Sequence, residues 1–197
     1  MPIQTDGRKK GVSAEPAGFV WRDGIDRYGL ISRFNHWFGA AVVITLLAIG
    51  LYFEDMPRGA EKFFWLKLHI GIGALAFFIL AFRLLWRLTS GSPAAFAQTS
   101  GMQRLALAVH ILLLSGLGVL IISGPLSVWT GGHAIDVFGW FSIPSPTGKI
   151  APLHESLEVV HKVMAKVLLV AIILHVLAAL KHFLFDRGRI FGRMLGR

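Results

Sequence analysis

The chain has 197 residues, 54% of them hydrophobic and 16% charged, and it contains no cysteine. A soluble domain carries about 25% charged residues, and without thiols there can be no disulfide, iron–sulfur cluster, thiolate zinc site or covalently attached c-type haem. The formal charge of +9 does not mark a nucleic-acid binder, because the basic residues sit at the ends of apolar blocks and not among aromatics on a polar face; the expected partner is the lipid bilayer.

Met1 to Ser32 is polar, carries Arg8, Lys9, Lys10, Arg22 and Arg27, and lacks the apolar core and cleavage site of a secretory signal. It reads as a partly disordered cytoplasmic tail of residues 1–32. Four apolar blocks follow, about Phe34–Phe53, Trp65–Leu85, Leu105–Leu126 and Val160–Leu184, each near the ~20 residues that cross about 30 Å of hydrocarbon as a helix. The fold class expected is all-α, an integral membrane four-helix bundle occupying residues 33–197. The Glu54–Phe64 loop is short and Leu88–Met102 is a Gly/Ser/Pro/Ala linker, so neighbouring helices can pack antiparallel. The third connection, about 127–158, holds Gly131, Gly132, Pro144, Pro146 and Pro152 around the apolar run Ile135–Ile143, with Trp129, Trp140 and Phe141 suited to the headgroup level. A short interfacial helix capping the outer face is expected there.

Orientation follows from the flanking cations. One side receives the tail, Arg33, Arg83, Arg87, Arg104 and the basic C-terminal stretch of about 185–197 with Arg187, Arg189, Arg193 and Arg197. The other receives Arg58, Lys62, Lys67, Lys149 and Lys162, offset by Glu54, Asp55, Glu61, Asp136, Glu155 and Glu158. Both termini are therefore expected in the cytoplasm of a bacterial cell, with the bundle in its inner membrane.

Histidine inside a span is costly and is by default a functional hypothesis. His36 lies shallow on the inner side of the first span, His69 shallow on the outer side of the second, and His161 shallow on the outer side of the fourth. His175 follows His161 by fourteen residues, nearly four whole turns and about 21 Å deeper on the same face. The depths pair His69 with His161 outside and His36 with His175 inside, the arrangement of two stacked bis-histidine b-type haems enclosed by a bundle. Gly39, Gly71 and Gly73 beside them leave room for a flat macrocycle, and Arg83 and Arg33 are candidates for the haem propionates. Interhelical hydrogen bonding or a proton relay is the competing reading of the histidines. A zinc or copper site competes less well, since it gathers three or four ligands at one depth. His110 reads as a structural hydrogen-bonder, a quinone contact or a substitute ligand for the inner haem. His182 reads as an interfacial residue or a quinone contact, and His133 and His154 as solvated.

Arg33-Phe34-Asn35-His36-Trp37, Leu68-His69-Ile70-Gly71 running to Arg83-Leu84-Leu85, the His161/His175 spacing and the stretch His175–His182 together resemble the prokaryotic cytochrome b561 family. The resemblance covers Ser32 to Arg197 and includes the small stand-alone members typified by bacterial superoxide oxidase. It implies that His36 and His175 ligate an inner haem and His69 and His161 an outer one, with electrons passing across the membrane. The implied reaction is one-electron oxidation of superoxide outside and reduction of ubiquinone, with Lys149, Lys162 and His154 steering the anion or simply solvated. The same plan is similar to the b-type subunits that link a hydrogenase or formate dehydrogenase partner protein to the quinone pool, which is the second reading. A transporter-like bundle with structural histidines is the third.

Overall fold

Backbone amides in hydrocarbon have no water to bond, so each apolar block must close its own hydrogen bonds as a helix. The computed structural model, which describes residues 20–25, 27–90, 99–185 and 189–195, contains four such helices: α1 (Leu30–Glu54), α2 (Ala60–Thr89), α3 (Ser100–Thr130) and α4 (Ala151–Phe185). All four are long and apolar enough to cross a membrane. A fifth, short helix, α5, spans Arg189–Leu195. Each long helix overruns its apolar block, because polar residues at both ends remain helical outside the hydrocarbon. The connections shrink accordingly, the third to residues 131–150. Residues 1–19 of the expected tail, most of the Gly/Ser/Pro/Ala linker, Arg187 and Arg197 lie outside the described residues.

The helices are inside out by the standards of a soluble bundle. Phe78, Leu107, Ile122, Val159 and Phe183 face outward, whereas many of the buried positions are small: Gly39, Gly71, Ala76, Gly116, Ser123 and Ala171. Small residues let helices approach closely where dispersion, and not water exclusion, drives association. A methyl on Gly116 would stand 3.2 Å from Leu168 Cδ1, which shows how tightly α3 lies along α4. α1 packs along α2, and α2 joins the two pairs through α3.

Both ends of α1 are tied down. Asp23 accepts from the Gly29 amide and the Ser32 hydroxyl, each at 2.8 Å, placing a carboxylate at a helix N-terminus where the dipole favours it. Asp23 thus pins the described residues just before α1 onto the start of that helix. At the same end, Arg33 donates to the Leu195 carbonyl at 2.7 Å and the Trp37 indole to that of Met194 at 3.2 Å, folding α5 back on α1. At the opposite end Lys62 donates to the carbonyls of Glu54 and Met56.

The expected interfacial helix is instead a β-hairpin, β1 (Ile135–Val137) and β2 (Phe141–Ile143), antiparallel with Val137 opposite Phe141. The Trp140 amide donates to the Val137 carbonyl at 3.0 Å, and the two residues between have positive φ, 55° at Phe138 and 74° at Gly139. That is the type I′ pattern, whose twist suits a hairpin. A short apolar run is ambiguous by periodicity, but the alternation is present: Ile135 and Val137 are buried and Asp136 between them is not. A bridge between Gly131 and Lys149 closes the neck of the connection.

The hairpin is seated by one ring. A methyl on Gly71 of α2 would lie 2.7 Å from Phe138 Cζ, so the space beside Gly71 that the sequence suggested for a macrocycle is taken by Phe138. Gly71→Ala should destabilise the protein by about 1–3 kcal/mol through overpacking, read as thermal unfolding in detergent, and Phe138→Ala in the same chain should relieve most of the loss.

Candidate functional site

Four helices bring four part-buried imidazoles together at two levels, with His110, which is exposed, beside one of them. At one level His69 of α2 and His161 of α4 have ring centres 6.3 Å apart with planes at 87°. At the other, His36 of α1 and His175 of α4 are 6.2 Å apart at 61°. His110 of α3 stands beside the second pair, 5.4 Å from His175. α4 contributes to both levels because its two histidines share a face.

The rings at the hairpin end rest on glycines of the helices opposite. A methyl on Gly50 of α1 would lie 3.4 Å from His69 Cε1, and one on Gly124 of α3 would lie 3.4 Å from His161 Cε1. Both are ordinary van der Waals contact, so the glycines are flat seats for the rings. Beside Gly124, the Ser123 hydroxyl lies 2.9 Å from His161 Nδ1. The Phe53 ring stands 5.7 Å from His69, edge-on. His69 Nδ1 makes no bond of hydrogen-bond geometry among the described residues.

At the other level Arg83 reaches across from α2. It donates to the Asn35 carbonyl at 2.8 Å and lies 3.3 Å from His36 Nδ1, its aliphatic stem running over Gly39 so closely that a methyl there would stand 2.7 Å from Cδ. Gly39 therefore makes room for an arginine. Arg33, the other candidate for a propionate, has one guanidinium nitrogen on the Leu195 carbonyl. The Trp86 indole donates to Ser32 at 2.8 Å, fixing α2 to α1 just beyond Arg83. Between the two histidine levels Ala76, Leu80 and Leu117 form a buried apolar layer with Val42, Val43, Leu46 and Ile121 around it.

The remaining candidates are spread around the rim. Lys149 is exposed on the neck of the hairpin connection, and Lys162, next to His161, pairs with Glu158 at 2.9 Å, both half-exposed. His182 is part-buried in the last turn of α4. His133 is exposed, but His154 is not simply solvated: its Nδ1 lies 2.8 Å from the Ser127 carbonyl near the C-terminus of α3, and its ring flanks Gly131. A hydrogen bond to a helix's terminal carbonyls explains that placement. Sequence reasoning missed Gly50, Gly124, Ser123 and Lys166, the last bound to Glu54 at 2.8 Å between α4 and α1. The first three carry no chemistry in isolation; a glycine or serine in a span becomes legible only once the facing histidine is placed.

The geometry accommodates a haem between each pair. Two metal–nitrogen bonds of about 2 Å in line, plus about 1 Å from each nitrogen to its ring centre, put axial imidazole centres about 6 Å apart. Both pairs have that separation. Among the described residues no group of three or more His, Cys, Asp or Glu side chains is disposed to hold a bare metal ion.

Comparison with known proteins points the same way. The family model of prokaryotic cytochrome b561 matches residues 27–197. The curated Escherichia coli (strain K12) protein called cytochrome b561 homolog 2 is 34% identical over 179 residues, covering 87% of this chain and 93% of that protein. The seats generate a test of the site's packing. Gly124→Ala adds a methyl at contact distance and should leave haem content unchanged, whereas Gly124→Leu must displace the His161 ring and should lower haem per chain in the purified protein while destabilising it by about 1–3 kcal/mol.

Proposed function

The chain belongs to the prokaryotic cytochrome b561 family of haem b-binding membrane electron-transfer proteins, and from that premise we propose that it holds two haems b and passes electrons from superoxide at its outer face to ubiquinone. The observation that carries the proposal is the pair of imidazole separations, 6.3 Å for His69 with His161 and 6.2 Å for His36 with His175. In this reading His69 and His161 would hold the outer haem and His36 and His175 the inner one. In the same reading both termini lie in the cytoplasm, a placement that the distribution of Arg and Lys supports.

Each haem, when bound, would supply reversible one-electron iron chemistry. The residues do the rest. A ligand imidazole that gives Nε2 to iron carries its proton on Nδ1, so Arg83 would then have no acceptor at His36 Nδ1. Its guanidinium, held over Gly39, is the counter-charge for an inner propionate, with Arg33 the second candidate. Ala76, Leu80 and Leu117 exclude water from the space between the levels and hold the two pairs at fixed separation.

Lys149 and Lys162 at the outer rim raise the local concentration of a small anion, as fixed positive charge does near a cleft. His110, 5.4 Å from His175, and His182 are the candidates in the inner half for contact with a quinone headgroup. The overall reaction balances with two superoxide anions each losing one electron to give two dioxygen molecules, while one ubiquinone gains two electrons and two protons to give ubiquinol.

The test uses purified, detergent-solubilised protein with a superoxide source and ubiquinone, following the haem difference spectrum and quinol together. Rapid haem reduction and quinol formation without any other protein are expected. A b-type spectrum that superoxide leaves unchanged would sink the donor assignment and point to a subunit fed by a hydrogenase or dehydrogenase. His161→Ala and His36→Ala should each lose one haem and keep four spans; full haem content in both would overturn the ligand assignment.

A further inference from the structure

The two histidines of the hairpin-end pair sit on equivalent glycine seats whose preceding residues differ in hydrogen-bonding capacity. Gly50 is preceded by Ile49, which offers His69 no hydrogen-bonding side chain, whereas Gly124 is preceded by Ser123. The Ser123 side chain faces inward, the residue is 2% exposed, and its hydroxyl lies 2.9 Å from His161 Nδ1. A hydroxyl in an apolar interior demands a partner, and so does the Nδ1 of a part-buried imidazole.

We propose that Ser123 is a positioning residue that accepts the Nδ1 proton of His161, fixing the ring's orientation and tautomer and setting the potential of the outer haem apart from that of the inner one. The inference rests on His161 being an axial ligand. A neutral imidazole has one N–H, and which nitrogen carries it is set by the hydrogen bond the other environment offers. With Nδ1–H directed at the Ser123 oxygen, the Nε2 lone pair is left for iron. Acceptance of that proton makes the imidazole a stronger donor, which stabilises the ferric over the ferrous state and lowers the potential; such partners of ligating histidines tune a site without touching the metal.

His36 meets a different neighbour at Nδ1. The nearest polar group there is the Arg83 guanidinium at 3.3 Å, a cation that accepts no proton. The two levels therefore differ in what stands behind a ligand, a hydroxyl oxygen at one and a positive charge at the other. A positive charge near iron favours the ferrous state and raises the potential. The contact that Ser123 makes with His161 has no counterpart behind His36, and by itself it lowers the potential of the outer haem.

The experiment is a redox titration of the full-length, haem-loaded protein in detergent, monitored by haem absorbance and by the low-spin ferric resonance signals, on wild type, Ser123→Ala and Ser123→Thr. Ser123→Ala should raise one midpoint and shift one set of ferric signals while the other haem is unchanged, and Ser123→Thr, which keeps the hydroxyl, should titrate like wild type. Loss of one haem from the alanine variant alone would also uphold the role of the hydroxyl. Alanine and threonine variants that behave alike, at any haem content, would overturn it. His161→Ala serves as the control: if that variant keeps both haems, the ligand assignment has failed and not merely the part given to Ser123.

Discussion

Hydrocarbon offers no partner to a polar group, so every imidazole inside this bundle has to be answered by something within the protein or bound to it. Five histidines in four spans would be an expensive composition for a bundle held together by dispersion alone. The rest of the interior is arranged around them. Glycines stand opposite His69 and His161, a hydroxyl meets His161, and an arginine stem laid over a third glycine meets His36. Between the levels the contacts revert to the apolar Ala76, Leu80 and Leu117. The helices can lie as close as they do because so many interface positions are small, and those same small residues leave the volume in which rings face one another.

The two ends of the bundle are built by different means. At one end a carboxylate, Asp23, and a folded-back helix, α5, gather around the start of α1. At the other a hairpin closes over α2, its tip residue Phe138 held at positive φ while its ring fills the space over Gly71. Positive φ is uncommon for a bulky aromatic, and burial of Ile135 and Val137 beneath the turn offsets its cost. The hairpin thus puts a rigid wall two residues from His69, on the side where the lysines lie.

Much of this was legible in the amino-acid order. Block length gave the spans, because a bilayer of fixed thickness tolerates few alternatives, and the fourteen-residue interval from His161 to His175 placed two rings on one face of α4 at two depths. The hairpin was not legible as a hairpin, since Ile135–Ile143 reads equally as a buried strand pair or an amphipathic turn until Gly139 is recognised as the second positive-φ position. Helix ends were also extended beyond the apolar blocks, because nothing in hydropathy stops a helix at the membrane surface. The partners of the histidines were hidden for another reason: Gly50, Gly124 and Ser123 are ordinary residues of a membrane helix, and their meaning depends on which face of a different helix lies opposite. Gly71 was legible as a close approach but not for what approaches it.

The central claim is that the four paired imidazoles are axial ligands to two haems, one at each level. The most direct measurement is haem b per polypeptide in the purified wild-type protein, combined with near-infrared and resonance spectra of the ferric state, which identify axial ligands without reference to any substrate. Two haems per chain, both low-spin with two histidine ligands, is the result this account predicts. One haem per chain, or a high-spin iron with an open position, would contradict it.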